Sequence, residues 1–199
     1  MYRSIFHIFA VCANTKRMTS EELIVKTSSP TLAGLKTGSM FSAKYRSETK
    51  VKAELRRLNA LLKPKGVIIM PLRFTDSRVL LYVCRMQALK RDLSEPDVGK
   101  MLKKLGYPVG SAEHCLLHLI RRMRSCRSFP HEVGLFLGYP PEDVRGFIQN
   151  GAKNYKAIGL WKVYGDTERA QKCFDECKKC AEETYARFKS GVDLERLVQ

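Results

Sequence analysis

Two apolar octapeptides, VIIMPLRF (67–74) and RVLLYVCR (78–85), stand on either side of Thr75-Asp76-Ser77. Both are rich in residues that favour a pleated surface. A short polar break between two such runs specifies a β-hairpin. Pro71 adds a second constraint. It has no N–H to give to a ladder, so the first strand must lie at a sheet edge or bulge at that position.

Two other segments have strand character. TLAGLKTGSMF (31–41) reads as an irregular strand, with close backbone approach at Gly34 or Gly38. AIGLWKVYG (157–165) reads as a strand that carries the only Trp. The remaining patterned segments are helical. Residues 20–28 form a short helix that Ser29-Pro30 breaks, because the residue before a proline avoids the helical region. Ser47 caps a helix over 48–63, with Val51, Leu55, Leu58 and Leu62 on one face and basic side chains on the other. Lys63-Pro64-Lys65-Gly66 ends it.

Ser94-Glu95-Pro96-Asp97 opens a helix in which Val98, Met101, Leu102 and Leu105 make the apolar face and Gly106 makes the stop. Ser111 caps the next, running to about Arg127, with a stripe of Ala112, Cys115, Leu116, Leu119, Ile120 and Met123. FPHEVGLFLGYPPEDVRGFIQN (129–150) gives two short helices joined at Gly138-Tyr139-Pro140. Asp166 caps a long helix to about Lys189.

Helices and strands mix here without βαβ alternation. The expected fold is α+β: a small, mostly antiparallel sheet including the 67–85 hairpin, packed with several helices and a long C-terminal helix. A chain of 199 residues can bury a core without disulfides or metal. A single domain over 18–199 follows, preceded by an extension of 1–17. That extension begins MYRSIFHIFAVCA, a poor signal peptide, since His7 interrupts a short apolar run and Lys16 and Arg17 follow. Translation is expected to start at Met18, where MTSEELIVK puts acids in a first helical turn. No apolar run reaches the ~18 residues that span a bilayer. The seven cysteines are odd in number and irregular in spacing, which points to a reducing, cytoplasmic location rather than a disulfide framework.

The net charge of +16 is unevenly placed. Residues 1–127 hold 25 Lys or Arg against 9 Asp or Glu, whereas 128–199 hold 11 of each. The surplus concentrates at Lys44, Arg46, Lys50, Lys52, Arg56, Arg57, Lys63 and Lys65, and again at Arg121, Arg122, Arg124 and Arg127. Such clusters attract polyanions through phosphate contacts and counterion release. The alternative is a solvated charged face on each helix. No RNP aromatic pair, GXXG clamp or zinc-finger spacing accompanies the charge.

Several chemistries are excluded by spacing. Lys36 lies between two glycines without Walker spacing. His131-Glu132 lacks the second histidine of a zinc protease, since position 135 is Leu. Cys173, Cys177 and Cys180 have the spacing of an iron–sulfur loop. They fall instead on one helical face with Ala170, Phe174 and Ala181, as a core stripe does. No metal site is assigned, no cofactor is specified, and no nucleophile motif is present.

SPTLAGLKTGSMF (29–41), FPHEVGLFLGYPPEDVRGFIQN (129–150) and GLWKVYGD (159–166), followed by KKC (178–180), resemble an uncharacterised bacterial family, a domain of unknown function found mainly in anaerobic Gram-positive bacteria. The likeness spans about Met18 to the C-terminus. It implies no catalytic residue to carry over. Residues 1–17 extend beyond that family's usual start, and of the three late cysteines only Cys180 is usual in it.

Three functions are open at this point. The first is a small-ligand-binding or regulatory protein with its site around 129–166, drawing on His131, Glu132, Tyr139, Asp143, Trp161, Tyr164 and also Lys36, because glycines, aromatics and a few polar groups cluster there. The second is polyanion or nucleic-acid binding through the basic helices at 48–63 and 112–127, using Lys52, Arg56, Arg57, Arg121, Arg122 and Arg124. The third is an enzyme using His131 and Glu132, with Tyr139 or Asp143, for general acid–base work.

Overall fold

A computed structural model describes residues 18–125 and 129–199. The proposed extension 1–17 and Arg127 lie outside the described residues. The chain divides into two compact units: the described part of Met1–Met86 together with Asp175–Gln199, and Gln87–Phe174. The fold is α+β, with a small antiparallel sheet, a hairpin and a long helix near the C-terminus.

The first unit is built on the hairpin. Strands β1 (Gly38–Lys44), β2 (Val67–Phe74) and β3 (Arg78–Arg85) form one antiparallel sheet in the order β1-β3-β2. Central β3 buries Val79 through Cys84 without a break, as a strand covered on both faces must. Both consequences expected of Pro71 occur: β2 is an edge strand, and its register against β3 shifts between Pro71 and Arg73. The shift turns Leu72 fully into the interior.

Helices α1 (Ser20–Leu32) and α2 (Glu48–Leu62) cover the sheet, followed by a 3-10 turn over Lys63–Lys65. Ser47 caps α2 by accepting from the Lys50 N–H, and Leu55, Leu58 and Leu62 are buried. Leu23, Ile24, Val25 and Leu32 of α1 join them in a core with Phe41, Val67, Ile69, Val79, Leu81 and Val83.

Asn59 closes the exposed edge of β2. Its side-chain Nδ2 donates to the Ile69 carbonyl at 2.7 Å and its Oδ1 accepts from the Ile69 N–H at 2.9 Å. One amide thus stands in for a missing neighbour strand, which blunts an edge that would otherwise template foreign pairing.

Helix α1 does not stop at Ser29. It runs through Pro30 to Leu32. Proline already holds a helical φ, and this close to the C-terminus the ring forfeits one backbone bond rather than breaking a long ladder. The Ser29 and Thr27 hydroxyls donate back to the Val25 and Leu23 carbonyls within the same turns. Arg85 then caps the end, donating to the Thr31 and Leu32 carbonyls and to the carbonyl of Gln199. A cation at a helix C-terminus meets both the orphan carbonyls and the negative end of the dipole. The segment 31–41 is therefore not one irregular strand. Its first residues end a helix, Gly34 turns at φ +79, and only Gly38 onward is extended.

The second unit holds α3 (Met86–Ser94), which begins at the unit boundary, then α4 (Pro96–Lys104), α5 (Ala112–Ser125), α6 (Val133–Phe136) and α7 (Pro141–Gln149). From sequence, 86–93 carries no assigned element, although Leu89 and Leu93 sit buried one turn apart. Ser94 ends α3 instead of capping α4: its hydroxyl donates to the Arg91 carbonyl, and Glu95 occupies the cap position without a side-chain bond. Ser111 caps α5 as expected, accepting from the His114 N–H. Residues 157–165 form no single strand. They make a hairpin of two short strands, β4 (Ala157–Ile158) and β5 (Lys162–Val163). The Gly159 N–H donates across the turn to the Trp161 carbonyl at 3.0 Å, so the chain reverses where an uninterrupted strand was expected. Helix α8 (Thr167–Lys189) starts where Asp166 accepts from the Glu168 and Arg169 N–H groups, and the unit boundary falls within it. Short α9 (Leu194–Leu197) adds Leu194 and Leu197 to the core of the first unit.

Candidate functional site

Asp143 is the organising side chain of the second unit. It sits in the first turn of α7, after Pro140 and Pro141, where no side chain caps the helix. Its carboxylate is 3% exposed and reaches out of its own helix to the β5 region. Oδ1 accepts from the Tyr164 N–H at 2.7 Å and the Gly165 N–H at 2.8 Å, and Oδ2 accepts from Trp161 Nε1 at 2.7 Å. Three donors on one buried carboxylate offset its desolvation.

The Trp161 ring is packed from two directions. Tyr139 stacks on it at 4.7 Å, and Phe174 meets it edge-on at 4.6 Å. The Tyr139 hydroxyl donates to the Leu160 carbonyl at 3.3 Å. Two glycines admit these contacts. A Cβ on Gly146 would lie 2.4 Å from the Tyr164 ring, and one on Gly159 would lie 2.2 Å from Phe174. Both neighbours are aromatic rings, which cannot yield by a rotamer change within a packed core.

The structure thus brings together Tyr139, Asp143, Trp161 and Tyr164, four residues expected to line a ligand site. It turns the polar atoms of the first three toward the protein itself. The same segment leaves two polar atoms over. His131 Nδ1 and the Tyr164 hydroxyl are buried with no hydrogen-bond partner. Both belong to side chains beside α7: Tyr164 lies against Gly146, and His131 meets the Phe147 ring at 5.1 Å. Burial pulls the His131 imidazole below its ordinary pKa, against the opposing pull of the Glu132 charge. Burial first, then the charges of Tyr155 and Asp143, push the Tyr164 phenol up. His131 therefore stands neutral and Tyr164 protonated around pH 7.

Glu132, the neighbour of His131, is committed elsewhere. It is 3% exposed. Its Oε1 accepts from Tyr107 Oη at 2.8 Å and from Arg122 Nε at 2.7 Å. The Arg122 guanidinium also lies 5.9 Å from the Tyr107 ring centre, and His118 packs on that ring at 4.4 Å. Burial, reinforced by the Glu132 charge, drives the Tyr107 phenol far above its usual pKa, so it acts as a donor. The arrangement ties α5, the 105–110 turn and the start of α6 together. Tyr107 carries no periodic signal; only its place between Gly106 and Pro108 marks it.

The basic candidates separate by what they touch. Arg122 faces Glu132. Arg57 is held by Glu54 and Glu21, each at 2.8 Å, and these carboxylates push its guanidinium pKa well up. Lys52 pairs with Glu48 at 2.6 Å on an exposed surface. Arg56, Arg121 and Arg124 are exposed. Lys36 is half-buried in the turn after α1, in the first unit. Cys177 is buried, with Cys173 and Cys180 half-buried on the same face of α8. Among the described residues, no three His, Cys, Asp or Glu side chains gather as metal ligands, and no helix is long and apolar enough to cross a membrane.

These features define an α+β protein with a paired polar cluster around Asp143 in its second unit and exposed basic side chains in both units. The chain belongs to the family described as "Protein of unknown function (DUF3793)", whose model matches residues 24–198. No curated protein and no solved structure matches it.

Proposed function

We propose that the 129–166 segment binds a small, uncharged polar ligand that takes its hydrogen bonds from His131 and Tyr164. One observation carries this reading. His131 Nδ1 and the Tyr164 hydroxyl are buried without partners in a segment whose two buried carboxylates, Glu132 and Asp143, are both paired. Each such group forfeits about 1–3 kcal/mol of hydrogen bonding, a cost that functional sites bear and scaffolds avoid. The neutral imidazole offers one donor or acceptor and the phenol offers a donor. Phe129 and Phe147 beside His131 disfavour a charged group there. Glu132, Asp143 and Trp161 act as the frame that holds the two groups in place.

Thermal unfolding of the full chain against a library of small polar metabolites tests the reading. A ligand at one hundred times its Kd adds about 2.7 kcal/mol of stability, a rise of several degrees in Tm. The midpoint should move for one chemical class of uncharged polar compound. A library that moves it nowhere contradicts the proposal.

A further inference from the structure

Asn59 fixes which flank of α2 faces the edge of β2, since its amide is bonded to Ile69. At 100° per residue, Lys52, Lys63 and Arg56 fall at about 20°, 40° and 60° from Asn59, a band about 40° wide on one side of it. They are spaced about 6 Å and 10 Å apart along the axis, at 1.5 Å per residue. All three are exposed, as are Lys65 in the following turn and Arg73 on β2. Among the described residues, Arg56, Lys63, Lys65 and Arg73 have no carboxylate partner, and Glu54, which holds Arg57, lies on the opposite flank.

The row ends at an aromatic pair. Lys52 Nζ lies 5.9 Å from the Phe74 ring centre, and Tyr45 meets Phe74 edge-on at 5.5 Å. Both rings are half-buried and so half-presented to solvent. The Tyr45 hydroxyl, donating to the Thr75 carbonyl at 2.7 Å, anchors that ring to the hairpin loop. The Lys52–Glu48 pair has both side chains about half exposed, so it contributes little and an incoming phosphate can displace it.

We infer that this seam between α2 and the edge of β2 binds single-stranded nucleic acid. The cations form a row along which a phosphate backbone can run, and the Tyr45–Phe74 pair offers a stacking surface for a base at one end. Stacking needs an unpaired base, which is why a single strand and not a duplex is the occupant.

Fluorescence anisotropy of the full chain with a labelled single-stranded oligonucleotide, read across a salt series, is the test. Binding should weaken steeply with salt. Lys52→Gln, Arg56→Gln and Lys63→Gln together should reduce affinity at least tenfold and flatten the salt slope by about 2, at about 0.7 per phosphate contact on a single strand. Phe74→Leu should lower affinity without altering the slope. A charge-matched control, Lys103→Gln, Lys104→Gln and Arg121→Gln, should bind as the parent does, and both triple variants should keep the parental unfolding midpoint. Undetectable binding at low salt overturns the inference. So do equal losses in the two triple variants, equal affinity for duplex, or tighter binding to anionic vesicles than to the oligonucleotide.

Discussion

Asp143→Ala should lower the stability of the second unit by about 3–5 kcal/mol, because three donors lose a charged acceptor in a site closed to water. Trp161 Nε1 and the backbone N–H groups of Tyr164 and Gly165 all end on this carboxylate. Without it the β4–β5 hairpin has two short strands to hold it, and a ladder that short is not stable alone. Trp161 is the only tryptophan, so denaturant unfolding followed by its emission reads this unit directly. Asp143→Asn should be milder but still costly. It keeps one acceptor oxygen and presents an NH₂ to a group that can only donate. A loss below about 1 kcal/mol for Asp143→Ala would mean that the carboxylate is dispensable and the segment is organised by its aromatic rings.

Glu132→Ala should cost a similar amount, about 3–5 kcal/mol, for a different reason. It takes away the carboxylate that both the half-buried Arg122 guanidinium and the Tyr107 hydroxyl donate to, and breaking a buried pair by removing one member costs more than replacing both. The sharper result comes from a cycle. Glu132→Leu combined with Arg122→Met should be less destabilising than Glu132→Leu alone, since apolar side chains of similar volume often replace a buried ion pair at little cost. Losses that simply add would show that Arg122 does not depend on Glu132. Should Glu132 be a catalytic base instead, its removal would leave the unfolding midpoint nearly unchanged.

Much of the fold was legible because it is written in local period and punctuation. The 67–85 hairpin, the bulge at Pro71, the capped helices at Ser47 and Ser111 and the long helix after Asp166 all rest on residues within a few positions of one another. The misreadings fell where a distant partner decides the outcome. Nothing near Ser29-Pro30 announces that Arg85, 54 residues from Thr31, will cap a helix carried past the proline. Asn59 sits in a helical pattern with no sign that its amide completes a strand edge. Helix α3 was missed because its apolar residues follow the strand RVLLYVCR without a break.

The candidate site was half legible for the same reason. Glycine and aromatic residues crowd 134–165, and the structure does bring Tyr139, Asp143, Trp161 and Tyr164 together. Spacing cannot say whether polar atoms on such residues face a guest or each other. Tyr139, Asp143 and Trp161 face each other or the backbone. The groups left over, His131 Nδ1 and the Tyr164 hydroxyl, emerge only once every bond around them has been assigned.

That residue of unspent hydrogen bonding is the centre of the account, and Tyr164→Phe tests it most directly. The substitution keeps the ring against Gly146 and the backbone bond to Asp143, and removes only the unpartnered hydroxyl. Unfolding should be followed through Trp161 with and without a compound that stabilises the parent chain. The unliganded variant should be more stable than the parent by about 1 kcal/mol and should gain less from the compound. A variant that is less stable than the parent, yet is stabilised by the compound to the same extent, would contradict it.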